Sequence, residues 1–224
     1  MPYKPYQVVK DFEEAVADFA GAKYGIAMDS CSNALFLCCH YLKVDTVHIP
    51  PRTYFSVPCS IIHAGGEVKF TNRLNWSGVY QLAPYRIYDS ALRFCKGMYI
   101  KDSFYCVSFH AKKHLNIGRG GMILCDDKQA MEYFRKARFD GRSEVPMDKD
   151  IITMLGWNMY MTPEQAARGL HLLDLISSHP PLPDIKNNYP DLRRFKDVYS
   201  SGSEILERYR SYDNEACSTE YPYK

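Results

Sequence analysis

The chain has 224 residues and is 46% apolar, so it is long enough to bury a hydrophobic core as one domain, with or without a small appendage. Twenty-eight Lys and Arg against 26 Asp and Glu give a formal net charge of +2, which excludes a global attraction to nucleic acid or to an anionic membrane. No apolar run approaches the roughly 18 residues that span a bilayer, and the first residues lack a signal-peptide pattern. We therefore expect a cytoplasmic protein.

Helix and strand patterns alternate over the first 125 residues. Phe12, Val16 and Phe19 share one helical face, and the apolar run at 24–28 leads directly into a second helical pattern. The predicted helices are 11–20, 34–42 and 56–64, and the predicted strands are 24–28, 47–50, 68–70, 79–82, 86–88, 104–109 and 122–125. The strand at 104–109 alternates little, which indicates burial on both faces.

Helical patterns dominate after Asp126. The predicted helices are 128–139, 162–176 and 191–212, with Pro163 suited to a first helical turn. A proline-bearing stretch after residue 176 is typical of a linker. The sequence thus predicts an α/β domain at 1–176, with a mostly parallel sheet flanked by helices, and a linker with a short helical C-terminal tail at 177–224.

The eight cysteines form no CxxC pair, and several lie in apolar runs. We interpret them as buried thiols of a reducing compartment and expect neither a disulfide framework nor a metal site. The adjacent pair Cys38 and Cys39 is the nearest approach to a metal motif, but neighbouring positions on a helix point apart.

The turn Ser30-Cys-Ser-Asn is the first candidate site. It follows a strand and opens a helix, where free backbone amides favour a phosphate and Ser32 adds a hydroxyl. An ordinary helix cap explains the same residues, and taken alone this local pattern favours the cap.

Two further stretches place polar residues after predicted strands, where ligands bind in α/β sheets. Asp89 ends an apolar strand, either as a turn residue or as the partner of a protonated ring nitrogen. Ser108, Lys112 and Lys113 lie between a buried strand and a glycine-bearing loop. A solvated basic loop or a nucleic-acid contact would explain this stretch equally well.

The order of these stretches resembles the DegT/StrS-type sugar aminotransferases, pyridoxal-phosphate (PLP) enzymes of the aspartate-aminotransferase fold type. Ser30-Cys-Ser-Asn-Ala-Leu is similar to the family's S-G-T-x-A-L, and Ile49-Pro-Pro-Arg-Thr-Tyr to its P-x-x-T-aromatic segment. Asp89-Ser-Ala matches D-x-A, and Ser108-Phe-His-Ala-Lys-Lys matches S-F-H-x-x-K. The most specific match is Gly156-Trp-Asn-Met-Tyr-Met-Thr-Pro-Glu-Gln-Ala-Ala, which resembles G-x-N-x-R-x-x-x-x-Q-A-A.

The resemblance implies a role for each matched residue. Lys113 would form the Schiff base with PLP and then act as general base and acid, and Asp89 would pair with the pyridine nitrogen. Tyr54 would stack on the ring. The phosphate would be held by Cys31, Ser32 and Ser108, and by Asn158 of a neighbouring subunit, so a homodimer with shared active sites is implied.

Several departures from the family pattern concern substrate handling. Leu92 stands where the family has His or Gln, Arg119 where an acidic residue is usual, and Tyr160 where an Arg is expected. The stretch between Gly66 and Asp89 is short, and the resemblance ends near Leu173, so we expect most of the family's C-terminal domain to be absent. The resemblance therefore implies a compact member whose residues 177–224 are a remnant of the small domain.

Three functions remain open on the sequence. The first is an aminotransferase that moves an amino group from an amino acid onto a keto sugar, typically linked to a nucleotide. The second is a non-catalytic descendant that binds PLP, a sugar nucleotide or a protein partner. A nucleic-acid-binding module ranks third, because the net charge is near zero and the sequence predicts no basic helix or aromatic platform. It would be based on Lys112, Lys113, His114 and Arg119.

Overall fold

The computed structural model describes residues 4–200, and six α-helices and seven β-strands lie within this part of the chain. The helices are α1 (Gln7–Ala20), α2 (Cys31–Tyr41), α3 (Ser56–His63), α4 (Lys128–Ala137), α5 (Pro163–Ser177) and α6 (Lys196–Ser200). The strands are β1 (Tyr24–Met28), β2 (Thr46–Ile49), β3 (Glu67–Phe70), β4 (Tyr80–Gln81), β5 (Ile87–Asp89), β6 (Phe104–Ser108) and β7 (Gly121–Cys125). Short 3₁₀ turns occupy Met147–Lys149 and Leu192–Phe195.

Five strands form one sheet in the order β1-β7-β6-β5-β4, and β2 and β3 form a separate parallel pair. The larger sheet is mixed: β5 and β6 are parallel, whereas the pairs β1 with β7, β6 with β7 and β4 with β5 are antiparallel. The mostly parallel sheet expected from the sequence is therefore not confirmed. The loop after β6 contains no helix to carry the chain across the sheet, so β7 returns antiparallel beside its predecessor.

Both faces of the sheet are covered, which gives three layers. On β6, Cys106 contributes to a core shared with α2 and α4, while Tyr105 and Val107 contribute to a second core shared with α1 and α5. This alternation follows from the two-residue period of a strand, and it explains why every residue of β6 is buried. The strand expected at 104–109 to be buried on both faces is thus confirmed.

Two buried charged side chains form hydrogen bonds with the backbone at the outer edge of β1. The amide of Ala27 donates to the Glu13 carboxylate at 2.9 Å, and its carbonyl accepts from Arg138 Nη1 at 2.5 Å. Arg138 also pairs with Glu13, and both side chains are almost fully buried. The pair thus occupies backbone groups that an exposed edge strand would leave open.

The helices begin and end close to the predicted positions. Helix α5 begins with a capping box in which Thr162 and Gln165 bond each other's backbone amides, as expected for a helix opening at Thr162-Pro163. Of the helix predicted at 191–212, the structure gives a 3₁₀ turn and α6, and residues 201–212 lie outside the described part of the chain. The domain boundary at 176 and the helical tail stay predictions.

Candidate active site

The carboxyl ends of three strands meet at one edge of the main sheet. β1 and β6 are each antiparallel to β7, and β5 is parallel to β6, so β1, β5 and β6 all run in the same direction. A cavity of about 870 Å³ lies at this edge, between the ends of β5 and β6 and the first turn of α2. Its volume lies within the usual range for small-molecule sites.

The first turn of α2 forms one end of the cavity. Ser30 is the N-cap and its hydroxyl accepts from the amide of Asn33 at 3.2 Å, so the cap predicted from sequence is present. The amides of Cys31 and Ser32 have no partner within the helix, and the Ser32 hydroxyl lies 2.5 Å from that of Ser56. This concentration of donors at a helix N-terminus suits a phosphate.

Gly121 allows the end of the sheet to approach this turn. A Cβ atom at Gly121 would lie 2.4 Å from the backbone nitrogen of Cys31, closer than non-bonded atoms come. Any other residue would push β7 away from α2. The glycine therefore fixes the distance between the sheet and the helix N-terminus.

Asp89 is almost fully buried at the end of β5. Its carboxylate accepts from the amide of Ala91 at 2.9 Å and from the hydroxyl of Tyr80 at 2.7 Å, and Tyr80 is itself hydrogen-bonded to Thr53. Burial raises the pKa of Asp89, while the two hydrogen bonds and the charge of Lys113 act in the opposite direction. A cation inside the cavity would stabilise this carboxylate.

The turn after β6 separates the two adjacent lysines. The amide of Lys113 donates to the carbonyl of His110 at 2.8 Å, and the Lys113 side chain is half-buried, whereas Lys112 is exposed. Burial lowers the pKa of Lys113, and the charge of Asp89 partly restores it. A lowered pKa increases the fraction of the neutral, nucleophilic amine.

Tyr54, Ser108 and Arg119 line the remaining walls. Tyr54 is 51% exposed, and Ser108 is buried and accepts a hydrogen bond from the amide of His110. Arg119 pairs with Asp29 at 3.1 Å at the mouth of the cavity.

Three residues singled out from the sequence do not line this cavity. Asn158 is exposed and donates to the Asp140 carboxylate at 3.1 Å. Leu92 is buried in the core, and the ring of Tyr160 packs edge-on against Tyr6 and Phe139.

The sequence reasoning missed two tyrosines of this site. In the sequence, Tyr80 is marked only as part of a short predicted strand, yet its hydroxyl donates to the Asp89 carboxylate. Tyr189 lies between the predicted linker and the helix predicted at 191–212, yet its hydroxyl is 3.2 Å from Lys113 Nζ. No local pattern marks either residue, because both reach the site through contacts between distant parts of the chain.

Between residues 4 and 200, no group of three or more His, Cys, Asp or Glu side chains is arranged to hold a metal ion. Seven free cysteines are present in that range, and five of them are buried. No helix in the described part of the chain is long and apolar enough to cross a membrane.

Sequence comparison finds two bacterial proteins that are similar to this chain. The chain is 26% identical to the spore coat polysaccharide biosynthesis protein SpsC of Bacillus subtilis (strain 168), over 91% of this chain and 61% of that protein. It is 24% identical to GDP-perosamine synthase of Caulobacter vibrioides, over 76% of this chain and 57% of that protein. The chain therefore spans about three fifths of the length of these relatives.

Solved structures share the fold over a similar extent. The sugar aminotransferase CalS13 from Micromonospora echinospora superposes with a TM-score of 0.65 at 16% identity, over 77% of this chain and 61% of that one. The PLP form of the putative sugar aminotransferase Spr1654 from Streptococcus pneumoniae gives 0.62 at 17% identity, over 76% and 60%. The sequence model of the DegT/DnrJ/EryC1/StrS aminotransferase family matches residues 3–77 and 99–179. These matched segments make up more than half of the sequence, and the chain belongs to the DegT/DnrJ/EryC1/StrS aminotransferase family.

Proposed function

We propose that this chain is a PLP-dependent aminotransferase that acts on a keto sugar linked to a nucleotide, with Lys113 as the Schiff-base lysine. The observation that carries the proposal is the meeting of three groups in one cavity. A half-buried lysine amine, a buried carboxylate and a helix N-terminus rich in hydroxyls line the same space, although Lys113, Asp89 and Ser32 are far apart in sequence.

The residues of the cavity suit PLP chemically. The phosphate would be held by the free amides of Cys31 and Ser32 and by the hydroxyls of Ser32 and Ser108. A protonated pyridine nitrogen would place a positive charge beside the buried carboxylate of Asp89 and offset the cost of its burial. When bound, PLP supplies an aldehyde that takes up the amino group and a ring that withdraws electrons.

The side chains of this protein would then divide the remaining work. Asp89 would keep the ring nitrogen protonated, and Tyr80 would orient Asp89. Lys113, once released from the cofactor, would carry the proton between two carbon atoms, a role that suits an amine with a lowered pKa. Tyr54 would cover one face of the ring.

The substrate proposal rests on the relatives. CalS13 and Spr1654 are described as sugar aminotransferases, and the Caulobacter vibrioides relative is named GDP-perosamine synthase. We propose a nucleotide-linked keto sugar as the acceptor and an amino acid as the donor. The open mouth of the cavity carries Lys112 and Arg119, which would attract the anionic groups of such substrates.

We also propose a homodimer whose shared site includes Asn158 of the second copy. Asn158 is exposed, and several exposed apolar side chains precede it within residues 145–155. A second copy that covered this stretch would bring the Asn158 amide close to a site other than its own.

Borohydride reduction tests the role of Lys113. With PLP added, the protein should turn yellow, and reduction should bleach it and fix the cofactor to Lys113, since reduction makes the lysine bond permanent. Mass spectrometric fragments that separate Lys112 from Lys113 would locate the cofactor. Lys112→Ala is the matched control and should keep the colour, whereas Lys113→Ala should lose it.

Two results would reject the assignment. One is a reducible adduct that persists in Lys113→Ala, and the other is a wild-type protein that never bonds PLP. If the yellow protein forms and no amino acid discharges its colour, the non-catalytic descendant replaces the aminotransferase.

A further inference from the structure

Residues 183–192, here called the strap, bring Tyr189 to the cavity and are held by contacts on both sides of it. On the first side, Arg93 donates two hydrogen bonds to the Asp184 carboxylate, at 2.9 and 2.7 Å, and Ser77 donates a third at 2.7 Å. The amide of Ile185 donates to the carbonyl of Leu92 at 2.9 Å. Two parallel bonds from one guanidinium fix orientation as well as distance.

Gly78 makes this anchor possible. It has φ +66°, and a Cβ atom there would lie 2.5 Å from the Asp184 carboxylate. The glycine thus leaves space for Asp184 between Ser77 and Arg93.

The second side of the strap is fastened to the stretch before Tyr54. The amide of Leu192 donates to the carbonyl of Pro51 at 2.8 Å, and the Asn187 side chain donates to the carbonyl of Arg52 at 3.1 Å. Leu192 is fully buried in the core. Both ends of the strap are therefore held by backbone bonds and by packing.

Tyr189 projects from the middle of the strap into the cavity. Its hydroxyl accepts a hydrogen bond from Lys113 Nζ at 3.2 Å, and its ring centre is 5.8 Å from that of Tyr54. The anchors hold Tyr189 in register with the site, because Arg93 follows Asp89 closely in sequence and Arg52 precedes Tyr54 closely.

We infer that Tyr189 is a positioning residue of the active site, whose hydroxyl accepts a hydrogen bond from the Lys113 amine and holds it inside the cavity. Its relevance to transamination rests on the proposed function. The hydrogen bond itself does not require the cofactor. A residue outside the segments matched to the family, located after the predicted linker, would thus complete the site.

The pKa of the Lys113 amine should depend on this hydrogen bond. A hydroxyl that accepts from the ammonium form favours that form and raises the pKa of the amine. Burial raises the pKa of Tyr189 itself, and the charge of Asp89 adds to this effect, so the phenol stays neutral and keeps its role as acceptor. The other titratable groups that line the cavity are Cys31, Tyr54, Asp89, His110, Lys112 and Arg119.

Competitive acetylation of the protein without PLP measures that pKa directly. Trace acetic anhydride would be added at a series of pH values, and the acetylation of Lys113 would be followed by mass spectrometry in wild type and Tyr189→Phe. The midpoint should fall by about 0.5 to 1 pH unit in Tyr189→Phe, because the ammonium loses an acceptor. Tyr88→Phe, which removes a hydroxyl from the residue next to Asp89 on β5, is the control and should leave the midpoint unchanged.

The dependence of Lys113 acetylation on pH distinguishes the hydrogen bond from steric shielding of the amine by Tyr189. A change in access alone would alter the maximum extent of Lys113 acetylation and leave the midpoint where it was. An unchanged or raised midpoint in Tyr189→Phe overturns the inference. Because the measurement needs no PLP, a wild-type protein that fails to bond PLP refutes the proposed function and leaves this result to stand or fall separately.

Discussion

At the scale of single residues, we expect the buried carboxylate of Asp89 to affect the free energy of unfolding differently with and without PLP. Its oxygens are held by the Ala91 amide and the Tyr80 hydroxyl, yet burial still raises its pKa. A native state with a raised carboxyl pKa binds a proton more tightly than the unfolded chain does. The stability that protonated Asp89 contributes is therefore lost as the pH rises through its native pKa.

Asp89→Asn should consequently stabilise the protein in the absence of PLP at pH 8, by about 1.4 kcal/mol for each unit by which the pKa is raised. The difference should shrink as the pH falls towards about 4, where the carboxyl group of the unfolded chain is also protonated. Urea unfolding at several pH values measures it. A variant less stable than wild type at pH 8 without PLP would contradict this account of Asp89.

Added PLP should favour the wild-type protein over Asp89→Asn. The ring nitrogen would pair with the Asp89 carboxylate and not with an amide, so PLP should raise the melting temperature of wild type more than that of Asp89→Asn. Equal increases would exclude the proposed pairing. Asp89→Asn should also abolish turnover in the proposed aminotransferase reaction.

At the scale of elements, the contact between α1 and α5 depends on one small residue. Gly169 lies in the middle of α5, and a Cβ atom there would be 2.5 Å from the ring of Phe12, which is fully buried on α1. Replacing a helical glycine by alanine normally stabilises by about 0.5–1 kcal/mol. Here the crowding of a buried ring opposes that gain.

Gly169→Ala should therefore destabilise the protein by about 1–3 kcal/mol, the usual cost of overpacking a core. Arg168→Ala is the matched control on the exposed side of the same helix, and its effect should stay within about 0.5 kcal/mol. Chemical denaturation of both variants measures the difference. A stabilised Gly169→Ala would mean that α1 and α5 do not pack this closely.

At the scale of the whole molecule, the described part of the chain presents exposed apolar side chains in one stretch. They are Val145, Met147, Ile151, Ile152 and Leu155, and Leu155 is 90% exposed. Exposed apolar side chains that cluster on a surface are typical of interaction sites. In the proposed dimer, this stretch packs against the second copy and places Asn158 near the site of that copy.

Leu155→Asp should then give monomers in sedimentation experiments and weaken PLP retention, because a charge buried in an apolar interface is costly. Leu175→Asp, an exposed leucine on α5, is the control and should leave the oligomer intact. Asn158→Ala should weaken PLP retention without dissociating the dimer, by roughly the 1.5–3 kcal/mol of a hydrogen bond to a charged group. A wild-type monomer that retains PLP tightly would refute the shared site.

The sequence by itself determined those features that depend on local chemistry. The lack of alternation at 104–109 predicted that both faces of β6 are buried, and Pro163 indicated the first turn of α5. Ser30 fits the cap of α2 that its local sequence favours. The ordered motifs indicated the family, which the comparison confirms. Such signals are carried by residues close together in the chain.

Only the tertiary structure decided how distant segments meet. The direction of β7 depends on pairing with β1 and β6. The hydrogen bond from Tyr80 to Asp89 requires β4 and β5 to be neighbours, and that between Lys113 and Tyr189 joins residues 76 positions apart. Free energies of packing between remote segments leave no period or motif in either segment, so the sequence did not mark the segment that brings Tyr189 to the site.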